Sequence, residues 1–384
     1  MIRSKQQEYL EIFAYVIMII VAVMILYPFL LLFMSSLTDE VTLSLNGYSV
    51  IPKKFSLKAY AYIWNARATI FRAYGVTICV TFVGTLLNVY ADFAEEFLAI
   101  PVVRGKKTDK EKFAGAIATY TIEALMHDGK ALQCGTSHNF GDGFARAFEI
   151  QYVSKDNKPE YCHQTSWGMT TRMIGAIIMV HGDDSGLKLP PRVAPVQAMV
   201  IPIQQKKGNV LEKACELKDA LCAAGIRARL DDSDKSPGWK FSDQEMRGIP
   251  VRLELGPKDI EQGQCVIVRR DTREKIVAPL EGIGQKVCEV LEQIQNDMFE
   301  AAKSRMESMT YTASSKEEFK EIADTKPGFI RSMWCGCREC EEEIKDQLGG
   351  VTSRCMPFEQ EHLADTCIWC GKPAKTMIYW GKAY

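Results

Sequence analysis

The chain has 384 residues, 47% of them hydrophobic, with 47 Lys and Arg against 48 Asp and Glu, for a formal net charge of −1. The length indicates two or three domains. The balanced charge excludes a globally basic protein, so any contact with nucleic acid must use local patches. The 13 cysteines cluster towards the end of the chain, and no cleavable signal peptide is visible. The cysteines therefore indicate a reducing compartment and a metal cluster.

The N-terminal region predicts one or two membrane helices. Ile12–Met34 carries no charged residue and is long enough to cross a hydrocarbon core of ~30 Å. A buried core helix is the alternative, although soluble helices rarely run this long without charge. A second uncharged stretch, Ala73–Ala91, is equally compatible with a second span and with a half-buried helix.

The same region resembles a known transporter family. The segments Tyr27–Leu30, Pro52–Tyr60 and Thr81–Asn88 are similar to the start of a permease subunit of a carbohydrate-type ABC importer. The resemblance covers about Met1 to Asn88 and implies an inner-membrane tether through Ile12–Met34. Family permeases have further spans and a coupling loop, neither of which follows, so transport by this chain alone is not expected.

Beyond Asp92 the composition becomes mixed charged and apolar, and Leu189–Pro195 is a breaker cluster that predicts a domain boundary. After it, strand-like and helical patterns alternate, which predicts a small α/β domain with a mainly parallel sheet. The predicted strands and helices are, in chain order, Ala198–Ile203 (strand), Val210–Ala224 (helix, with Val210, Ala214, Leu217 and Leu221 on one face), Val251–Leu255 (strand), Cys265–Val268 (strand) and Leu280–Lys303 (helix).

Two polar segments precede this boundary. Gln133–Gly141 packs an amide, two hydroxyls and an imidazole into nine positions. On a strand, Gln133 and the following odd positions would share one face, and a bound polar ligand would supply the partners that buried polar groups need. Ser166–Gly175 suits a strand-to-helix turn in which Arg172 could clamp a phosphate. Taken singly, His138 is more typical of a core histidine, and Arg172 of a surface arginine at a helix start.

Together, these segments resemble the class II prolyl-tRNA synthetases of the archaeal and eukaryotic type, from about Tyr90 to Tyr384. Trp167–Arg172 is similar to the class II motif 3. The resemblance implies two sets of ligand contacts. ATP, with Mg²⁺, would contact Gln133, Thr136, Thr170 and Arg172. Proline would contact His138, Phe113 and Trp167. The two-step chemistry of that family uses no side-chain nucleophile, so no catalytic residue is assigned.

Ser236–Phe241, Gly248–Pro257 and Val268–Asp271 resemble the anticodon-binding domain of the same family. An aromatic ring beside a cation suits single-stranded RNA, because bases stack on the ring while the cation neutralises phosphate. For any one cation, a solvated charge at a strand end is the alternative. The resemblance implies contacts to tRNA(Pro) from Trp239, Lys240, Arg252, Arg269 and Arg270.

The cysteine spacing predicts zinc. Cys335 and Cys340 form one short pair and Cys367 and Cys370 a second, and two such pairs suit one tetrahedral ion. By spacing alone, Cys337 competes with Cys335 or Cys340. The family resemblance favours Cys335, Cys340, Cys367 and Cys370, and implies a structural zinc, since four thiolates leave no open position.

The predicted domains are a permease-like segment (1–89), a partial class II catalytic domain (90–192), an anticodon-binding domain (193–300) and a zinc domain (301–384). The overall fold class is therefore α/β, behind one or two membrane helices. Motifs 1 and 2 of the synthetase would precede Tyr90, where permease-like sequence stands instead. The function implied is proline–tRNA ligation, crippled in this chain alone. The alternatives are a non-catalytic tRNA-binding fragment, and a permease fragment joined to a passenger by rearrangement or misassembly at Asn88–Tyr90.

The implied partners are ATP, proline, tRNA(Pro), and a second copy or an intact synthetase as dimer partner. The implied location is cytoplasmic, or at the inner membrane if the N-terminal helix is inserted.

Overall fold

The computed structural model describes residues 18, 24, 26–39, 42–43, 47–58, 60–61, 87–155 and 157–384, within two units, Met1–Thr81 and Phe82–Tyr384. In the first unit residues 26–36 are helical, and a bridge joins Thr38 to Phe55. The described residues include no helix that is both long and apolar enough to span a bilayer. Much of both predicted spans, Ile12–Met34 and Ala73–Ala91, lies outside the described residues.

The second unit begins with helical residues 87–92, which continue as a π-helical turn, Phe93–Phe97. Six strands and two helices follow along the chain. They are β1 (Val103–Lys106), β2 (Ala118–Leu125), β3 (Ala131–Gly141), α1 (Gly143–Ala147), the hairpin β4 (Gln151–Val153) and β5 (Pro159–Tyr161), β6 (Gln164–Gly168) and α2 (Arg172–His181).

A five-stranded sheet follows, in the order β11-β10-β9-β7-β8. Its strands are β7 (Ala198–Pro202), β8 (Ala228–Leu230), β9 (Val251–Leu255), β10 (Gln264–Arg269) and β11 (Lys275–Pro279). Its helices are α3 (Val210–Ala223), α4 (Pro237–Arg247), α5 (Pro257–Glu261) and the long α6 (Ile283–Ser308).

The structure confirms the predicted elements of this part and corrects its topology. Helix α3 buries the predicted face, Val210, Ala214, Leu217 and Leu221. The prediction of a mainly parallel sheet was wrong: β7 is parallel to β8 and β9, but β9–β10 and β10–β11 are antiparallel. The reason is connection length, since a parallel crossover needs about a dozen or more residues and these strands are joined by short links.

The last part contains β12 (Thr310–Thr312), α7 (Lys316–Thr325), β13 (Phe329–Trp334), α8 (Arg338–Gln347), β14 (Val351–Pro357) and β15 (Thr376–Lys382). Strand β14 pairs with β1, so one eight-stranded sheet runs β12-β13-β15-β14-β1-β2-β3-β6. Gly105 lies at this joint, and a Cβ there would clash with the backbone oxygen of Met356. The segment predicted as a separate zinc domain therefore shares a continuous sheet with the predicted catalytic part.

Candidate functional site

A cleft of about 260 Å³ opens where β3, β6 and the start of α2 meet. Six of the seven side chains that the sequence assigned to ATP or proline line this cleft: Phe113, Gln133, Thr136, His138, Thr170 and Arg172. They come from three separate stretches of chain, so their convergence is a property of the fold. One amide, two hydroxyls, an imidazole and a guanidinium face a single space, with one aromatic wall.

The alternation expected along β3 is interrupted. Glu123 of β2 pairs with Gln133 but its neighbour Ile122 pairs with Gly135, so Cys134 is an extra residue, a β-bulge. An inserted residue reverses the phase of the side chains that follow. Gln133 therefore shares the cleft with the even positions Thr136 and His138, and the prediction that the odd positions would continue that face was wrong.

Arg172 stands at the N-terminal end of α2, where helix amides and the helix dipole favour anions. Its Nη1 donates to the backbone oxygen of Gln133 at 3.1 Å, which fixes the guanidinium against β3. Its backbone NH donates to Thr170 Oγ1 at 3.3 Å. Among the described residues no carboxylate forms an ion pair with Arg172, so its remaining donors can serve an anionic ligand.

His138 and Phe113 form the other wall. Thr119 Oγ1 lies 3.0 Å from His138 Nδ1, and the Phe113 and His138 ring centroids are 5.1 Å apart. Burial lowers the pKa of His138, so the imidazole is neutral at pH 7. Phe140 stacks behind it at 5.7 Å. This wall suits an apolar or weakly polar group rather than a second anion.

Trp167 does not belong to this wall. It pairs with Ser137 across β3 and β6, whereas the cleft residues Thr136 and Gly168 form the next pair. Paired residues share a face and successive residues alternate, so Trp167 projects from the opposite face. The pairing of β3 with β6 therefore corrects the expectation that Trp167 shapes the proline pocket.

Beneath the cleft lies a buried ionic group that the sequence reasoning missed. Glu123 is fully buried, with Lys107 Nζ 2.8 Å from its Oε1 and Arg354 Nη2 2.7 Å from its Oε2. Thr121 Oγ1 also donates to Glu123 Oε1, at 2.8 Å. The one available signal was a glutamate inside an otherwise uncharged strand, but its two cations come from other segments of the chain.

The four predicted zinc ligands converge. The Sγ atoms of Cys335, Cys340, Cys367 and Cys370 all lie within 4.8 Å of one another. Cys335 Sγ is 3.7 Å from Cys340 Sγ and 3.6 Å from Cys370 Sγ. Sulfurs around a tetrahedral zinc with Zn–S of ~2.3 Å stand about 3.8 Å apart, so the spacing fits the ion. Cys337 is not part of the cluster and caps the start of α8 instead.

One of the four thiols is already poised for metal. Burial would raise the pKa of Cys370, but hydrogen bonds from the Lys372 backbone and the neighbouring thiols lower it to about 7. Cys370 is also the exposed member of the cluster, while Cys340 and Cys367 are buried. A metal ion can therefore meet a partly ionised ligand at the surface, and the thiolate is the form that binds metal.

Most of the predicted RNA contacts are occupied by other parts of the protein. Lys240 is 2% exposed, and its Nζ donates to the backbone oxygen of Asp231 at 2.7 Å. Arg252 forms ion pairs with Glu245 and Glu254 at 2.8 and 2.9 Å. Neither cation is free to meet phosphate, which corrects the expectation for both.

The same holds for the paired arginines. Arg269 is buried, and its Nη2 lies 2.6 Å from both Asp271 and Asp297. Arg270 is also buried and donates through both Nη atoms to the carboxylate of Asp183, at 2.6 and 3.0 Å. These arginines hold the five-stranded part to α6 and to the segment after α2, so their role here is structural.

An open basic cleft lies beside the one exposed member of the predicted set, Trp239, which is 47% exposed. This cleft, of about 320 Å³, is lined by Lys206, Lys207 and Lys235, among others. Lys235 Nζ stands 5.3 Å from the Trp239 ring centroid. Lys206 Nζ lies 3.3 Å from Asp234, which also lines the cleft, whereas Lys207 and Lys235 form no ion pair with a carboxylate among the described residues. An aromatic ring beside ammonium groups suits single-stranded RNA, and these lysines were not predicted from the sequence.

The chain contains domains of the class II aminoacyl-tRNA synthetases. Three family models match the chain: "tRNA synthetase class II core domain (G, H, P, S and T)" over residues 47–181, "Anticodon binding domain" over residues 197–289, and "Prolyl-tRNA synthetase, C-terminal" over residues 316–384. The first match begins at residue 47, well before Val89, where the permease-like segment was expected to end.

The chain belongs to the proline–tRNA ligase family. It is 67% identical over 299 residues to a proline–tRNA ligase of Lachnoclostridium phytofermentans and, over the same length, to one of Lachnospira eligens, covering 78% of this chain and 62% of each relative. It is 57% identical over 332 residues to one of Ruminiclostridium cellulolyticum, covering 85% of this chain and 68% of the relative. The chain thus spans about 62% of the length of the first of these relatives.

Proposed function

We propose that this chain binds ATP and proline in the cleft between β3, β6 and α2, as part of a proline–tRNA ligase. The observation that carries the proposal is the convergence of Gln133, Thr136, Thr170 and Arg172 opposite His138 and Phe113. Arg172 holds phosphate oxygens at the start of α2 and Thr170 orients that turn. The neutral His138 and Phe113 enclose the small, largely apolar side of proline.

The chemistry of ligation suits such a site. The proline carboxylate attacks the α-phosphate of ATP to give prolyl-adenylate and release pyrophosphate. A hydroxyl of the terminal ribose of tRNA then takes the prolyl group and releases AMP. Neither step needs a protein nucleophile, so the contribution of the cleft is positioning and stabilisation of phosphate charge. Mg²⁺ bound with the nucleotide would neutralise part of that charge.

ATP binding to the full chain tests the proposal. Arg172→Ala is expected to weaken ATP binding by about 10- to 100-fold, as expected for loss of a charge-assisted hydrogen bond. Arg146→Ala is a matched control, because Arg146 is an exposed arginine paired with Asp142 and does not line the cleft. Equal ATP affinity of the Arg172→Ala variant and the wild type would contradict the site.

Catalysis by this chain alone is a separate part of the proposal. Because no motif 2 arginine was found in the sequence, we expect negligible proline activation even where ATP binds. Losing one such electrostatic contact alone costs about 2.7–4 kcal/mol of transition-state stabilisation. Proline-dependent pyrophosphate exchange at the rate of an intact synthetase would contradict the expected loss of activation. It would not contradict the proposed binding site.

The second candidate function is binding of tRNA(Pro) without catalysis. The basic cleft beside Trp239 supports it, with Lys206, Lys207 and Lys235 as the phosphate contacts in place of the buried cations. Filter binding of the full chain to proline tRNA and to another tRNA at several salt concentrations tests this function. Equal affinity for both tRNAs would argue against it.

The four-cysteine cluster is proposed to hold a structural zinc ion through Cys335, Cys340, Cys367 and Cys370. The match to the C-terminal domain of prolyl-tRNA synthetase and the fit of the sulfur distances support this proposal. The archaeal and eukaryotic type is likewise a proposal, and it rests on the motif resemblance alone. Zinc content of the purified chain, with one ion per chain expected, is the direct measurement.

Three further features of the sequence remain proposals. A cytoplasmic location and dimerisation with a second copy or an intact synthetase are proposed from the family resemblance. A membrane tether rests on the uncharged run Ile12–Met34, and the permease resemblance on the segments named above. Fractionation of cells that express the full chain separates these locations, because a tethered chain sediments with membranes and resists extraction by salt.

A further inference from the structure

A path of hydrogen bonds, buried at Glu341 and Thr108, leads from the residue after Cys340 to the cleft. The loop that follows β1, residues 107–113, begins with Lys107 and Thr108, which are 4% and 1% exposed, and ends at Phe113 on the cleft wall. Thr108 Oγ1 donates to Glu341 Oε1 at 2.9 Å. The two residues are 233 positions apart in the chain, so this contact exists only because β14 joins β1.

Glu341 belongs to the metal end of this connection. It lies in the first turn of α8, directly after the cluster member Cys340. Its side chain is buried, and the same Oε1 also accepts a hydrogen bond from Ser353 of β14. The position of the α8 start therefore sets the position of Glu341, and four thiolates around one ion would fix that start.

Thr108 organises the loop at the cleft end. Its backbone oxygen accepts the NH of Lys112 at 2.9 Å, and its Oγ1 accepts the NH of Glu111 at 3.3 Å. Phe113, which follows Lys112, donates its NH to Thr119 Oγ1 at 3.1 Å. The same Thr119 hydroxyl contacts His138, so one short path runs from Glu341 to the aromatic wall.

We propose that Glu341 and Thr108 are positioning residues through which the four-cysteine metal site holds the 107–113 loop and keeps Phe113 against His138. The inference rests on the proposed metal site and is independent of the proposed ligase activity. It assigns the C-terminal module a role in the geometry of the cleft, in addition to its role in folding.

Hydrogen exchange of the zinc-loaded full chain tests the connection. Thr108→Val removes the hydroxyl but keeps the shape, and the amides of Glu111 and Lys112 should then exchange about tenfold faster, which corresponds to about 1.4 kcal/mol. Thr108→Ser keeps the hydroxyl and should restore protection. Unchanged protection at Leu253, in the other sheet, verifies that each variant is folded. Wild-type exchange rates in the Thr108→Val loop would overturn the inference.

Glu341 provides a second pair of variants. Glu341→Ala should accelerate exchange in the same loop, while Glu341→Gln should not, because the amide retains an oxygen that accepts both hydroxyls. A structural role without positioning would instead make both variants alike. Equal loop exchange in Glu341→Ala and Glu341→Gln therefore counts against the proposal.

Removal of the metal completes the test. Chelation should accelerate loop exchange in the wild type and have little further effect in Thr108→Val, since both act through one contact. Equal acceleration in the two proteins would overturn the proposed route. Absence of zinc from the purified chain would overturn the metal site on which the inference rests, whereas retained ATP binding would show that the proposed cleft function stands.

Discussion

Replacing Glu123 by alanine is the sharpest test of how the two halves of the eight-stranded sheet are held together. The carboxylate is fully buried and meets Lys107 Nζ at 2.8 Å and Arg354 Nη2 at 2.7 Å, and these two cations are themselves 3% and 7% exposed. Glu123→Ala leaves both charges buried without compensation. Removing one partner of a buried pair costs about 3–5 kcal/mol, so we expect a loss of that size in the free energy of unfolding.

The measurement is urea unfolding of the full chain at pH 7, followed by tryptophan fluorescence. Glu95→Ala is the matched control, because the Arg104–Glu95 pair has the same 2.8 Å distance but is about 30% exposed on each side, at 31% and 28%. An exposed pair contributes about 0–1 kcal/mol. If Glu123→Ala lost no more stability than Glu95→Ala, the reasoning from burial would be refuted.

The contribution of Glu123 to the free energy of unfolding should also depend on pH. Burial by itself would raise the pKa of Glu123, but Lys107 and Arg354 outweigh it and the pKa is lowered. A glutamate in the unfolded chain titrates near pH ~4.3, so the carboxylate stabilises the fold above that pH. The contribution is lost as pH falls through the lower, folded pKa. The stability difference between wild type and Glu123→Gln should therefore shrink below about pH 4.

Three other outcomes are expected. Cys367→Ser should lose the bound zinc ion and lower the thermal unfolding midpoint, while Cys337→Ser should keep the ion, as measured by metal analysis; equal zinc loss would refute the ligand set. Lys235→Glu should weaken tRNA binding and lower the slope of log K against log salt by about one. Arg270→Ala should instead lower the urea midpoint of unfolding. The hydrogen bond from Arg270 lowers the pKa of Asp183, so Asp183→Asn should destabilise the chain at pH 7, and progressively less as pH falls below about 4; a pH-independent loss would exclude that origin.

Local pattern in the sequence was enough to place many elements. Helix α3 and its buried face follow from apolar residues at helical spacing. Strand β9 was predicted with its observed bounds, Val251–Leu255. The cysteine pairs were assigned from spacing and resemblance, and their sulfurs meet in the structure. These features depend on residues that lie close together in the chain or on family motifs. They can therefore be predicted from the sequence.

The errors share a different physical origin. A single bulged residue, Cys134, reversed the face expected along β3. Lys240 and Arg270 looked like free cations because their acceptors, Asp231 and Asp183, are brought to them by the fold. Charge in a sequence does not reveal whether it is already neutralised, since that depends on where the fold places its partners, whether they are nine residues away, as for Lys240, or 87, as for Arg270.

The sequence by itself therefore determined many of the helices and strands, the candidate residues of the cleft and the four cysteines of the cluster, because each follows from short-range spacing or from family motifs. Only the tertiary structure decided which of those residues are available to a ligand. It buried three of the five predicted RNA contacts, paired a fourth, Arg252, with two glutamates, turned Trp167 away from the cleft, and joined β14 to β1. That joint puts Glu341 beside Thr108, a contact between segments too distant in the chain for any local pattern to record.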